Sequence, residues 1–298
     1  DVYKRQEDKF TFMTWDSAKA IREKVTAGTK VLIIGAGLIG LKCAEALHHL
    51  NADITVVDLA DRILPSILDV RAGEIMQKHI EDKGTKFILG TSVEQFSKNS
   101  AKLTNGDTVD FDILVVAVGV RPNTELVSDA GGKVEKGIIT DLHQQTTIDN
   151  VYAAGDCTVS HDCSSNTDRI LALLPNAFMQ GEVAGKNMAG EETLYLNAIP
   201  MNAIGFYGLH IITAGSYDGD EDITEDADKE IYKKLVFKDG LLKGFILMGD
   251  VARAGIYTSM IKEQIPLTEV DLDLLREKPQ MMMFGKARRE EKLAGKKH

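Results

Sequence analysis

The chain of 298 residues carries 45 acidic against 35 basic side chains, a net charge of -10, which argues against a nucleic-acid or anionic-membrane partner. No apolar run reaches the roughly 18 residues of a membrane span, and the opening DVYKRQEDKF is polar throughout, unlike a leader peptide. Three cysteines, Cys43, Cys157 and Cys163, are too few for a disulfide framework, so a cytoplasmic protein is expected. The chain begins on Asp1 rather than Met, and its natural start is expected upstream.

TWDSAKAIREKV, residues 14–25, predicts a helix with Asp16 as N-cap before Ala18, Ile21 and Val25. KVLIIGAG, an apolar run stopped by glycine, reads as a buried parallel strand. LIGLKCAEALHHLN keeps helical spacing as far as Asn51, DITVVD is a second strand, and VRAGEIMQKHIEDKG is an amphipathic helix ended by Gly84. TKFILG, SVEQFSK, AKLTNG and TVDFDILVVAVG predict strands, with Asn105-Gly106 as a hairpin turn. This β-α-β-α-β order, followed by an antiparallel excursion and a final strand, describes a dinucleotide-binding module of about 115 residues.

From residue 137 the pattern changes. GIITD and VYAAGD predict two short strands and PNAFMQGEVAGKNMAG a helix, the end of a further module rather than a whole one. From about residue 198, HIITAGS, EIYKKLVFKDG and LLKGFILMGD alternate as an antiparallel meander turning at Asp239-Gly240, closed by helices at ARAGIYTSMIKE and TEVDLDLLREK. DGDEDITEDADKE, 218–230, predicts a solvated loop. Met281 to Phe284 predict apolar contact at a domain or dimer surface, and KARREEKLAGKKH a solvated, frayed helix.

Gly35, Gly37 and Gly40, with Ala36, Leu38 and Ile39 between them, form G-x-G-x-x-G between a strand and a helix. The first glycine permits the tight turn, the second lets backbone approach a pyrophosphate, and the third lets helix and strand close up. The pyrophosphate then meets the positive helix N-terminus. Asp58, 18 residues past Gly40, stands where a carboxylate accepts ribose hydroxyls and repels a 2′-phosphate, which favours NADH. Arg62 nearby pulls the other way. Cys157, His161 and Cys163 lack C-x-x-C spacing and a fourth ligand, so no metal is expected there.

A second nucleotide signal follows. The small-residue run YAAGDC delivers Gly155-Asp156 to a sheet edge, where the carboxylate suits a sugar-alcohol hydroxyl. With GAGLIG, VVAVGVRPNTEL (115–126) and LLPNAFMQG, the chain resembles the FAD-dependent pyridine nucleotide-disulfide oxidoreductase superfamily over nearly its whole length. AIPMNAIGFYGLHIITAGS and LKGFILMGDVARAGIYTSMIKEQIPL are similar to the NADH:rubredoxin reductase and nitrite-reductase-like flavoprotein branch.

The resemblance implies an α/β fold, a Rossmann-like NAD-binding domain plus part of an FAD-binding domain, with a C-terminal α+β interface domain. Its boundaries would be 1–28 for a linker and FAD-domain remnant, 29–136 for NAD(H), 137–197 for the second FAD part and 198–298 for the interface. It implies FAD and NAD(H) as cofactors, with Asp156 by the ribityl chain and Gly119 on the nicotinamide path. Leu173, Leu174, Pro175, Asn176 and Ala177 would set a helix N-terminus by the flavin pyrimidine ring, where it favours charge on reduced flavin.

Electrons would pass from NADH to flavin and on to a redox protein such as rubredoxin or a small acceptor, and no protein acid or base is required for the hydride step. The alternatives are an NADH oxidase or coenzyme A-disulfide reductase with its redox cysteine upstream, or a non-catalytic NAD-binding fragment. The superfamily's first G-x-G-x-x-G has no counterpart in residues 1–28, so on the order of 100 residues are expected to precede the chain. A His-Glu dyad is not expected from His298 or His210. The C-terminal tail offers a basic docking arm for an acidic rubredoxin as a minority use. Members of the family it resembles often carry Glu two residues past the glycine loop, where this chain has Lys42. Residues 198–298 are expected to form a homodimer, because LHIITAG and FILMG, with Ile256, Tyr257 and Met260, carry more apolar surface than one solvated face explains.

Overall fold

The short, β-branched runs VLII, ITVV and ILVV are hydrophobic on both faces, as strands buried between layers must be. In the computed structural model, which describes residues 8–294, they form the centre of a parallel sheet. The chain divides into two units. The first holds the chain to Val120 together with Gly205–His210; the second holds Arg121–Ile204 and the chain from Ile211. DVYKRQE at the start and His298 at the end lie outside the described residues.

In the first unit, β1 (Lys9–Phe10) precedes α1 (Trp15–Lys24). Thr14, not Asp16, caps α1: its hydroxyl accepts the Ser17 N–H at 3.1 Å, which places Asp16 in the first turn, where its charge meets the helix N-terminus. Then come β2 (Lys30–Ile34), α2 (Leu38–His48), β3 (Asp53–Val57), α3 (Val70–Glu81) and β4 (Lys86–Ile88). β5 (Val93–Phe96), β6 (Ser100–Leu103) and β7 (Thr108–Asp110) make a separate antiparallel sheet, and β8 (Ile113–Val116) returns to the first.

TVDFDILVVAVG is therefore two strands rather than one. Phe111, buried at 2% exposure, and Asp112 carry the chain from the small sheet to the large one, with the Phe111 N–H on Asn99 and the Asp112 N–H on Lys30. The parallel order is β1-β8-β2-β3-β4. Leu32, Val57 and Leu114 from the parallel strands meet Ala101, Leu103 and Phe111 in one buried cluster. The chain winds outward from β2 through β3 to β4, then crosses back to β8 on the other side of β2. That reversal opens a crevice at the carboxyl ends of the strands.

The second unit begins with α4 (Glu125–Ser128) and the three-stranded sheet β11-β10-β9, made of β9 (Ile138–Ile139), β10 (Thr158–Asp162) and β11 (Thr167–Ile170). The predicted strand VYAAGD is absent: its one pairing is the Tyr152–Gln145 bridge. Both sides of that bridge turn away, at Gln144 (φ 63°) and Gly155 (φ 88°), and the strand starts two residues after Gly155-Asp156 instead of ending there. α5 (Leu174–Met188) follows.

The meander is β12 (Met201–Phe206), β13 (Leu209–Gly215), β14 (Asp220–Asp226), β15 (Ile231–Lys238) and β16 (Leu241–Met248), in the order β12-β13-β16-β15-β14. Two of its strands depart from expectation. β12 was not foreseen, and the acidic stretch is the edge strand β14 rather than a loop. Its charges are compensated by Lys234 on Glu221 (2.5 Å), Lys238 on Asp218 (2.7 Å) and Arg276 on Asp222 (2.6 Å).

α6 (Ala254–Lys262), α7 (Leu272–Glu277) and α8 (Lys286–Ala294) complete the unit. TEVDLDLLREK breaks into a 3-10 turn and a helix because Asp271 caps α7, accepting from the N–H groups of Asp273 and Leu274. Met283 and Phe284 are core residues rather than surface contacts, packed with Tyr257, Met260, Phe245 and Leu275. Tyr257 and Met260 are each 1% exposed, so the apolar surface from which a dimer was expected is largely covered within one chain. The cations of α8 are engaged as well: Arg288 pairs with Glu269, and Lys292 with Glu263.

Candidate functional site

At the crevice beside β2, the strand stops because Gly35 turns at φ 114°. A Cβ there would strike the Ala117 carbonyl, and one on Gly40 would strike the Gly35 carbonyl, so neither position accepts a side chain. Gly37 differs. Nothing lies within 4 Å of the place its Cβ would take, and its backbone is extended at φ -84°. The first two glycines named shape the loop, and Gly37 keeps the space in front of it clear.

That space is a cleft of about 560 Å³ lined by Gly35, Gly37, Leu38, Ile39, Asp58 and Gly119, among others. Six of the predicted residues thus converge. Ala36 and Gly40 are buried behind the cleft. Leu59, Pro65, Ser66, Thr91, Ser92, Ala117 and Val118 also line it and were missed. Ala117 and Val118 were within reach in VVAVG, but nothing local marks Thr91 and Ser92, which arrive from the turn after β4.

Asp58 is the one charged residue lining the cleft. Its Oδ2 accepts the Ala36 N–H at 2.6 Å and its Oδ1 the Ala60 N–H at 2.7 Å. A carboxylate has about four lone-pair directions, so two remain on the cleft side for a hydrogen-bond donor. Asp58 therefore sets the shape of the glycine loop as well as offering it a hydrogen-bonding partner. Arg62 is not among the lining residues; its guanidinium meets Asp61 at 3.2 Å and its stem lies by Gly73.

In the second unit, Gly155 (φ 88°) turns the chain so that the Asp156 side chain is exposed. The Gly155 N–H donates to the buried Gln180 of α5 at 2.6 Å, and a Cβ on Gly155 would lie 3.5 Å from that of Ala177. The turn and the first turn of α5 are therefore neighbours. α5 starts with Leu173 as a cap that makes no side-chain bond and with Pro175 in its first turn, and no acidic side chain occupies that turn. Its free N–H groups suit a polar or anionic partner.

Leu174 is 84% exposed, whereas Asn176 is buried. The Asn176 side chain donates to the Ile199 carbonyl at 3.0 Å and accepts the Tyr195 hydroxyl at 2.9 Å, so it braces the helix, and only its backbone remains for a ligand.

Cys157, His161 and Cys163 are used separately: Cys163 packs in the apolar core, His161 faces Asp168 at 3.0 Å, and Cys157 is half-buried. No helix among the described residues is long and apolar enough to cross a membrane.

A sequence model of the pyridine nucleotide-disulphide oxidoreductases matches residues 3–181, and one of the rubredoxin NAD+ reductase C-terminal domain matches 200–265. The NADH-dependent phenylglyoxylate dehydrogenase subunit epsilon of Aromatoleum evansii is 32% identical over 266 residues, 86% of this chain and 63% of that one. The rubredoxin-NAD(+) reductase of Acinetobacter baylyi is 30% identical over 267 residues, 86% of this chain and 64% of that one. Among solved structures, an NAD-dependent persulfide reductase from A. fulgidus superposes with a TM-score of 0.79 at 26% identity, over 89% of this chain and 55% of that one. The chain thus spans less than two thirds of the length of each of these relatives.

Proposed function

We propose that this chain, which belongs to the pyridine nucleotide-disulphide oxidoreductase family, is the NADH-binding, second-FAD-half and interface portion of an FAD-dependent NADH reductase that passes electrons to a redox protein or a small acceptor. Hydride transfer from nicotinamide to flavin is the chemistry that the two cofactors supply when bound. The chain's own part is to hold and orient. The loop Gly35–Gly40 with the α2 N-terminus takes the pyrophosphate, Asp58 the ribose, and Gly119 leaves the nicotinamide path free of a side chain. Asp156 and the first turn of α5 contact the flavin side. The division at 1–28, 29–136, 137–197 and 198–298 is the domain scheme of this reading, with a cytoplasmic homodimer as its setting.

One observation carries the reading: six predicted residues from the ends of β2, β3 and β8 and the start of α2 converge on one cleft, which is open above Gly37 and Gly119. Because Gly37 has no neighbour within 4 Å of a Cβ and no left-handed φ, Gly37→Val leaves the fold intact and fills the pyrophosphate position. NADH affinity is expected to fall at least about tenfold, a loss near 1.4 kcal/mol, with the melting temperature unchanged. Calorimetric titration showing equal NADH affinity in both proteins removes the cleft as the nucleotide site.

A further inference from the structure

Helix α2 presents Lys42, Glu45 and His48 at i, i+3 and i+6, along one face. The tip of the β12–β13 hairpin, Gly205–His210, belongs to the same unit and meets that face. At the tip Tyr207 and Gly208 both hold positive φ, 51° and 91°, as a type I′ turn requires. An aromatic residue adopts that conformation only where its surroundings over-determine it.

They do. The Tyr207 N–H donates to Glu45 Oε1 at 2.6 Å, its carbonyl lies 3.1 Å from His79 Nε2, and its hydroxyl lies 3.0 Å from Thr85 Oγ1. Its ring meets that of His48 edge-on at 5.2 Å. Lys42 completes the arrangement. Its Nζ donates to Glu45 Oε2 at 2.6 Å and to the Gly205 carbonyl at 2.5 Å, and lies 5.1 Å from the centre of the Phe206 ring. Lys42 is not among the residues lining the nucleotide cleft.

We propose that Lys42 and Glu45 are positioning residues: they tie the Tyr207 hairpin to α2, and through that helix they hold the Gly35–Gly40 turn ready for the dinucleotide. The proposal rests on the reading of the cleft as the NADH site. Lys42 Nζ is directed to the hairpin, and the N-terminus of the helix that carries it is the wall on which the pyrophosphate sits. If the two ends of α2 are linked in this way, linkage is reciprocal. NADH must then slow the opening of the hairpin, and loosening the hairpin must weaken NADH.

The test is hydrogen exchange of the Gly205–His210 amides in the 298-residue protein, with and without NADH, together with NADH titration. In the unsubstituted protein NADH is expected to slow this exchange. Lys42→Met is expected to speed it and to raise the NADH dissociation constant, each about tenfold. Lys42→Arg, which keeps a donor to the Gly205 carbonyl, is expected to restore both. Tyr207→Asn accepts the left-handed turn but loses the ring and hydroxyl, and it should reproduce Lys42→Met.

Three outcomes overturn the proposal: exchange unchanged in Lys42→Met; faster exchange with NADH affinity unchanged, which makes the tie structural alone; or weaker NADH with the hairpin still protected, which makes Lys42 a direct nucleotide contact. Unsubstituted protein that binds no NADH overturns the cleft reading together with the coupling, whereas NADH binding that leaves hairpin exchange unaltered overturns the coupling alone.

Discussion

Asp58 shows how much one side chain can hold. The sequence marks it as a ribose acceptor by its distance from the glycine loop, and the structure adds two backbone N–H groups on the same carboxylate. Asp58→Ala is therefore expected to do two things. Leaving the Ala36 and Ala60 N–H groups without acceptors costs about 1–3 kcal/mol each where they are shielded from water, visible as a lower melting temperature. Losing charge-assisted bonds to ribose, worth roughly 1.5–3 kcal/mol each, lowers NADH affinity at least tenfold, while the NADPH-to-NADH affinity ratio rises because no other charged residue lines the cleft. A ratio that stays constant would show that Asp58 does not face the 2′ position.

The cysteines separate in the same way. Burial pushes the Cys43 thiol up from 9.0 to about 12, and burial, followed by the neighbouring Asp162, also raises that of Cys163. At pH 8 a thiol reagent should modify Cys157 in the native protein and reach the other two only on unfolding. A raised thiol pKa means that the folded state keeps its proton where the unfolded chain has lost it. The stability this contributes is whole below pH 9 and is lost as pH rises from 9 toward 12. Burial also pushes the Tyr207 and Tyr257 hydroxyls up from 10.0 to about 12, steepening the same decline. Denaturant midpoints measured from pH 8 to 11 should fall, and Cys43→Ala should flatten the slope.

Elements were legible where their signal is local. β2, α2, β3 and α3 follow from apolar spacing and from glycine or Asn stops. VYAAGD misled because a β-like run needs a partner of equal length, and the segment opposite it turns at Gln144. The acidic stretch misled in the opposite sense. Its like charges forbid a strand until Lys234, Lys238 and Arg276, up to 54 positions away, are brought alongside. Lys42 was visible only as a departure, since its partner carbonyl lies 163 positions on.

Two predictions belong at this scale. Asn176→Ala leaves the Ile199 carbonyl and the Tyr195 hydroxyl buried without their partner, at about 1–3 kcal/mol each; calorimetry that shows a smaller combined loss would mean that water enters. Replacing Asp220, Asp222 and Glu225 with Thr strips charge from an edge strand whose outer side is unpaired among the described residues. Concentration-dependent association should then increase in light scattering; an unchanged profile would mean that the edge is shielded in some other way.

For the whole molecule, the chain carries one complete G-x-G-x-x-G and, in the proposed reading, one side of a second nucleotide site in Gly155-Asp156 with α5. The 298-residue protein is accordingly expected to bind NADH and to hold added FAD weakly, and purification with near-stoichiometric flavin would contradict this. Leu174 and Phe178, one turn apart on α5, are 84% and 73% exposed and place apolar surface beside the first turn of that helix.

The chain returns to its first unit for only six residues, Gly205–His210, and this bears on how such proteins can be cut and recombined. A gene fragment ending at Val120 encodes every glycine of the loop, the carboxylate of Asp58 and all five parallel strands, yet it omits the tyrosine that Glu45, His48, His79 and Thr85 enclose. A chimera that takes residues up to Val120 from one parent and the rest from another inherits the two halves of this fitting from different sources. Helix α2 and the tip at Tyr207 therefore form a single inheritable unit, although Glu45 and Tyr207 lie 162 positions apart in the chain, and recombination libraries that respect the linear module boundaries should fail most often where those two segments come from different parents.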